Sequence, residues 1–226
     1  MKFGLALISF VANSERAKIV TRSLESLART DINGLDCIPA LDISYGESVW
    51  FDYRDVGRLF EGRFYLRVLP DPPEVPKPDI MHYSATAAAM RLLKDVQDVT
   101  HVVCMVDDYI YNPDWLRQLA ALIERHPTDT RAWSVFRSRY TAFHQIVGGD
   151  GTDVLMSMHD SMGCMTRQEM TEFCHYGYVG TPDCTHAGSR PGNRWATSRD
   201  YMENLGRHHN LGIGDVDCAI DFVGEE

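Results

Sequence analysis

The chain has 226 residues, 44% hydrophobic and 10% aromatic, enough for one globular domain with a full core. Its formal charge of -10 leaves no electrostatic footprint for nucleic acid or an anionic membrane surface. No secretory signal or membrane span is evident, and the six cysteines are scattered without a CxxC pair, so a cytoplasmic protein with reduced thiols is expected.

Lys2 to Phe10 is an apolar run that predicts a buried first strand. Val11 to Ser14 turns the chain, with Asn13 or Ser14 placed to cap a helix. From Glu15 to Ala28, Ala17, Ile19, Val20, Leu24 and Leu27 fall at helical spacing. Asp31 to Gly34 carries turn chemistry. Leu35 to Leu41 then reads as a second strand closing on Asp42, which completes a right-handed βαβ unit. Ser44 to Ser48 is a loop, Asp55 to Phe60 a short helix and Phe64 to Leu69 a third strand. Pro70 to Pro78 holds five of the ten prolines. It excludes regular structure and predicts a surface loop near the site. Ser84 to Asp95 is a helix.

Val102 to Val106 is an apolar run without alternation, as in a strand buried on both faces. It stops at Asp107 and Asp108. Asn112, Pro113 and Asp114 then signal a helix start. The helix from Pro113 to His126 buries Trp115, Leu116, Leu119, Leu122 and Ile123. The two carboxylates therefore sit at the carboxyl end of a buried strand, where open α/β sheets bind ligands. As hard oxygen donors they suit Mg²⁺ or Mn²⁺ against a diphosphate; the plain alternative is a turn.

Beyond it, Ala132 to Phe136 reads as a strand. Tyr140 to Val147 and Val154 to Met158 read as a hairpin around Gly148 to Gly151. Thr166 to Cys174 is a helix with Thr166 and Glu169 as a capping box. Gly177 to Asn193 is a long loop, Thr197 to His208 a helix and Cys218 to Val223 a last strand. The alternation predicts a single α/β domain over 1–226, its central, mainly parallel mixed sheet flanked by helices. Arg190, Arg194, Arg199 and Arg207 can line a basic cleft. The spacing of Cys174, His175, Cys184 and His186 matches no zinc pattern.

Four phrases carry a family resemblance: ISFVANSERAKIVTRSLESLART, PALDISYGES, ATAAAMRLLKD and VVCMVDDYIYNPDWL. The chain resembles a GT-A-fold, Rossmann-like glycosyltransferase of the inverting family 2 type. The first half matches well; SMGCMTRQEM and WATSRDYM follow the pattern loosely. The resemblance implies a nucleotide-sugar-binding half at 1–126, an acceptor-binding half at 127–226, a UDP- or GDP-sugar donor and Mn²⁺ or Mg²⁺. Counting back from PDWL makes Asp108 the metal ligand and Asp107 the residue near the donor ribose. Asp42 is expected to contact the base, and Phe10 and Arg16 to flank the same crevice, for stacking or for phosphate. Asp200 is the expected general base, with Trp195 against a sugar ring and Asp183 and Asp160 as competitors. His186, His208, His209 and Arg190 are candidates for phosphate, and Asp221 for a further metal contact.

The family's acidic motif often has a third carboxylate, and here Val106 takes its place. QxxRW is absent, so a processive polysaccharide synthase is not expected. Two other functions remain. A sugar nucleotidyltransferase would want a Gly-rich phosphate loop after the first strand, and VANSER has no glycine. A nucleotide-sugar-binding module without catalysis would explain the lost carboxylate. The acceptor stays open among polysaccharide, lipid-linked sugar, protein and modified nucleobase.

Overall fold

The computed structural model describes residues 1–70, 80–127, 132–137, 145–157, 163–178, 193–204 and 221–224. In chain order the elements are β1 (Phe3–Ser9), α1 (Ser14–Ala28), β2 (Ala40–Tyr45), a 3₁₀ helix (Tyr53–Phe60), β3 (Tyr65–Pro70), α2 (Ile80–Asp95) and β4 (His101–Val106). They continue as β5 (Tyr109–Tyr111), α3 (Trp115–Arg125), β6 (Ala132–Ser134), β7 (Ile146–Gly149), β8 (Asp153–Ser157), β9 (Gly163–Thr166), α4 (Arg167–Tyr178), β10 (Asn193–Thr197) and β11 (Met202–Asn204).

One nine-stranded sheet runs in the order β3-β2-β1-β4-β9-β6-β10-β8-β7. The first four strands are parallel, and β8 and β9 alone run against the common direction. The mixed α/β architecture with a mostly parallel central sheet is the expected one. No helix among the described residues is long and apolar enough to cross a membrane.

Side-chain alternation explains why β1 is apolar from Phe3 to Ile8. Phe3, Leu5 and Leu7 pack with Val20, Leu24 and Leu27 of α1 and with the buried stripe of α3. Ala6 and Ile8 face the other way, onto Ala88, Ala89, Leu92 and Leu93 of α2. Both faces are thus removed from water, and the one polar side chain of the strand is Ser9 at its carboxyl end. Gly4 lets α2 come close: a Cβ there would lie 2.5 Å from a Leu92 methyl and 2.9 Å from one of Val99. Cys104 and Cys164 are buried and Cys37 is exposed, all three as free thiols. Burial pushes the Cys104 thiol up to about 12, so it is core filling rather than a nucleophile.

Several elements differ from expectation. The second strand is Ala40–Tyr45, not Leu35 to Leu41. The Leu35 to Pro39 stretch lies outside it, and Ile38 is 56% exposed. The hairpin turn begins at Asp150, because Gly148 and Gly149 pair within β7. The expected helix from Thr197 to His208 is overturned in its described part. β10 ends at Thr197, and β11 pairs antiparallel with β5. Strands this short carry too few residues for alternation to reveal them. Thr166 does cap α4, its Oγ1 accepting from the Glu169 N–H at 3.2 Å.

Candidate active site

The site lies where the strand order reverses. β1 has β2 on one side and β4 on the other, and the chain leaves β1 toward β2. A crevice outside the carboxyl ends of two such strands is the ligand position of open α/β sheets. Ser9 ends β1 there, and Phe10 follows it. Asp107 and Asp108 turn the chain from β4 into β5, which β11 secures from the far side.

α1 contributes the third component. Asn13 is extended, and its side chain accepts from the Arg16 N–H at 2.9 Å, so the helix begins at a fixed point. Arg16 falls in the first turn, where the helix dipole disfavours a cation. Two carboxylates offset that cost. One guanidinium nitrogen donates to Asp107, and the other donates to Asp108 Oδ2 at 3.0 Å. Arg16 is nonetheless buried, 6% exposed, and its Nε–H has no acceptor among the described residues.

The two carboxylates are not equivalent. Asp107 is 1% exposed and accepts from the Ser9 hydroxyl, the Phe10 N–H at 3.0 Å and Arg16. Burial raises its pKa to about 6 and outweighs Arg16, which pulls it down. Desolvation works against the Arg16 charge, but Asp107 and Asp108 hold it, and the guanidinium is raised. The folded chain therefore binds the Asp107 proton more tightly than the unfolded chain does. Its contribution to stability is full below about pH 4 and is lost as pH rises through about 6. Asp108 is partly open, at 14% side-chain exposure, and its Oδ1 accepts from nothing among the described residues.

Beside this pair, toward β2, lies a cavity walled by Tyr45, Trp50, Phe51, Tyr53 and Arg54. Tyr45 and Tyr53 stack at 4.5 Å and 17°. The Tyr53 hydroxyl meets the Ser9 hydroxyl, which in turn donates to Asp107, so the cavity wall and the acidic pair share one hydrogen-bond chain. Trp50 is 53% exposed and Phe10 is 45% exposed. The aromatic wall is not among the sequence-based expectations. Its signal is four aromatic residues packed into YGESVWFDY after a strand.

Four of the expected residues, Phe10, Arg16, Asp107 and Asp108, do gather at this rim. Three do not. Asp42 lies three residues before the end of β2, fully buried, and binds Arg67 through both oxygens, with Nε at 2.7 Å. Arg67 also donates to Asp95 at 2.7 Å. Paired with Arg67 and without solvent contact, the carboxylate has no exposed oxygen to offer a nucleobase; Tyr45 holds the strand end instead. Trp195 stacks on the His126 imidazole at 3.7 Å and 10°, which takes one ring face away from any sugar. His126, Asp150 and Asp153 bring their ligand atoms within 4.8 Å of one another, but Arg125 already spans both Asp153 oxygens, at 2.7 and 2.9 Å.

Asp200 is the main correction. It opens no helix. It is fully buried, bonded to Arg137 Nε at 3.0 Å, Arg137 Nη2 at 3.1 Å and the Arg137 N–H at 2.8 Å. Its Oδ2 also accepts from the Asp221 N–H at 2.7 Å. With both oxygens engaged twice and no solvent contact, it is a strut between segments rather than a base facing an acceptor. Arg194 is 1% exposed within β10 and lines no open cleft. Asp160, Asp183, His186, Arg190, Arg207, His208 and His209 lie outside the described residues. Asp221 is exposed and pairs with Arg199 at 3.4 Å.

No family model and no curated protein matches the chain. Solved structures do. The chain is similar to S. aureus TarS 1-349, at 15% identity and a TM-score of 0.58, over 89% of this chain and 60% of that one. It is similar to S. aureus TarS at a TM-score of 0.59 and 15% identity, covering 89% and 36%. It is similar to TarS 1-349 in complex with UDP-GlcNAc at 0.57 and 15%, covering 89% and 58%. The chain thus spans 60% or less of these structures. The likeness is one of fold, and that fold is glycosyltransferase-like.

Proposed function

We propose that the protein is a nucleotide-sugar-dependent glycosyltransferase, metal-assisted and inverting. One observation carries the reading: the Asp107–Asp108 pair, held by Arg16, stands at the β1/β4 switch point beside an aromatic cavity. In this reading the nucleobase enters the cavity, where Trp50 offers an exposed ring for stacking, and Phe10 is exposed at the end of β1. The diphosphate then lies over the acidic pair, and the sugar points toward the half from 127 to 226. The UDP-GlcNAc complex of a fold neighbour favours a UDP-sugar.

A divalent cation fits the residues in a restricted way. Asp107 is buried and already meets three donors, so the accessible donor set reduces to Asp108 Oδ1, with Asp108 Oδ2 available if Arg16 yields it. Mg²⁺ in phosphate sites is commonly held by one or two carboxylates, with phosphate oxygens and water completing the shell. Such a cation would supply positive charge to the leaving diphosphate. Asp108 would hold it, Asp107 would keep Arg16 and the Phe10 backbone in place, and Phe10 would limit water at the rim. The acceptor's base is assigned to Asp183 or Asp160, since Asp200 is committed to Arg137.

A non-catalytic nucleotide-sugar module has one observation in its favour, the half-neutralised acidic pair. A thermal-shift panel separates the possibilities at the binding level. UDP-sugars with Mn²⁺ are expected to raise the melting temperature, by about 2.7 kcal/mol of stabilisation at one hundred times Kd. Absence of a shift with UDP-, GDP-, CMP- and dTDP-sugars would sink the reading. A shift without donor hydrolysis or transfer would leave the module.

A further inference from the structure

We propose that Arg16 is an exchangeable counter-ion of the acidic pair. It occupies Asp108 until a divalent cation competes for that carboxylate, and once released it turns to the diphosphate. The inference rests on the glycosyltransferase reading for its second half and on the side-chain geometry alone for its first.

Three observations support it. Arg16 spans both carboxylates, so the pair presents one net negative charge to an arriving cation instead of two. Its Nε–H is buried without an acceptor among the described residues, an arrangement that calls for an explanation in a folded protein. Its two carboxylate partners are unequal. Asp107 has two other donors and almost no exposure, whereas Asp108 is partly open and accepts from Arg16 alone among the described residues. The Asp108 contact is therefore the one that can break without leaving Asp107 unsatisfied. Once it breaks, the guanidinium has free N–H groups on a planar fork, the geometry that grips a phosphate in two places.

The consequence is coupling. Cation and diphosphate each favour the released state of Arg16, so each strengthens the other's binding by the same factor. Without a nucleotide, the cation must displace a charge of its own sign.

The test uses Arg16→Gln at pH 8, with Mn²⁺ alone followed by the free-ion electron paramagnetic resonance signal and UDP alone by calorimetry. Removing a unit charge next to the ion is expected to tighten Mn²⁺ binding by about tenfold or more and to weaken UDP binding by a similar factor. Mn²⁺ binding that is unchanged or weaker in the variant overturns the exchange. Should the variant not fold, the wild-type protein decides. The Arg16 Nε–Hε resonance must move on addition of UDP with Mg²⁺, and a resonance that stays in place overturns the proposal. If the wild-type chain binds no UDP, the donor reading fails, while the Mn²⁺ comparison still decides whether Arg16 excludes the cation.

Discussion

Asp108→Asn lowers kcat/KM for a nucleotide-sugar donor by about 100-fold or more, equivalent to about 3 kcal/mol of lost transition-state stabilisation. The substitution keeps the shape of the side chain and removes the charge that would hold a cation against the leaving diphosphate. Stability should change little. Asp108 is partly exposed, makes one hydrogen bond to Arg16 and supports no other element among the described residues. Steady-state kinetics on the donor, paired with a urea midpoint, checks both halves. Activity within a few-fold of wild type would remove Asp108 from the chemistry. An equal loss of activity and stability would make it a structural turn residue.

Asp200→Asn acts through the fold. Arg137 is 6% exposed and its guanidinium meets Asp200 in a space without solvent. Removing one partner of a buried ion pair leaves the other uncompensated, at a cost of about 3–5 kcal/mol. For a chain of this size the melting temperature should fall by roughly 2–4 °C per kcal/mol, or about 6–20 °C. Substrate turnover by the fraction still folded should persist. The measurement is a melting curve alongside kcat corrected for folded fraction. A stable Asp200→Asn protein without turnover would return Asp200 to the role of general base.

Asp107, Asp108 and Asp200 mark where sequence patterns suffice and where they stop. Asp107 and Asp108 were legible because a long apolar run, a two-face-buried strand, ends on them. The geometry of β4 then leaves no other place for them than the sheet rim. Asn13 was legible as a cap because it precedes the periodic residues of α1. Asp42 misled because Leu35, Cys37 and Ile38 imitate a strand, while the real strand buries Asp42 and Ser44. A polar residue in mid-strand is tolerated only through a partner, and Arg67 on β3 is such a partner, invisible until β2 and β3 are paired. The same holds for Asp200. Its place opposite Arg137 is a long-range pairing, and β11 is three residues long, too short for period-2 alternation to declare itself. Arg16 was expected near phosphate. That it grips both carboxylates follows from the turn of α1 over the end of β4, which no local pattern encodes.

The sheet order and the likeness to TarS concern the fold alone; the proposed chemistry rests on the rim between β1 and β4. A crystal structure with UDP and Mn²⁺ bound addresses it most directly. The ion should be coordinated by Asp108, the diphosphate should lie across the ends of β1 and β4, and the uracil should sit among Tyr45, Trp50 and Tyr53. Nucleotide bound anywhere else, with Asp108 touching neither ion nor phosphate, would contradict it.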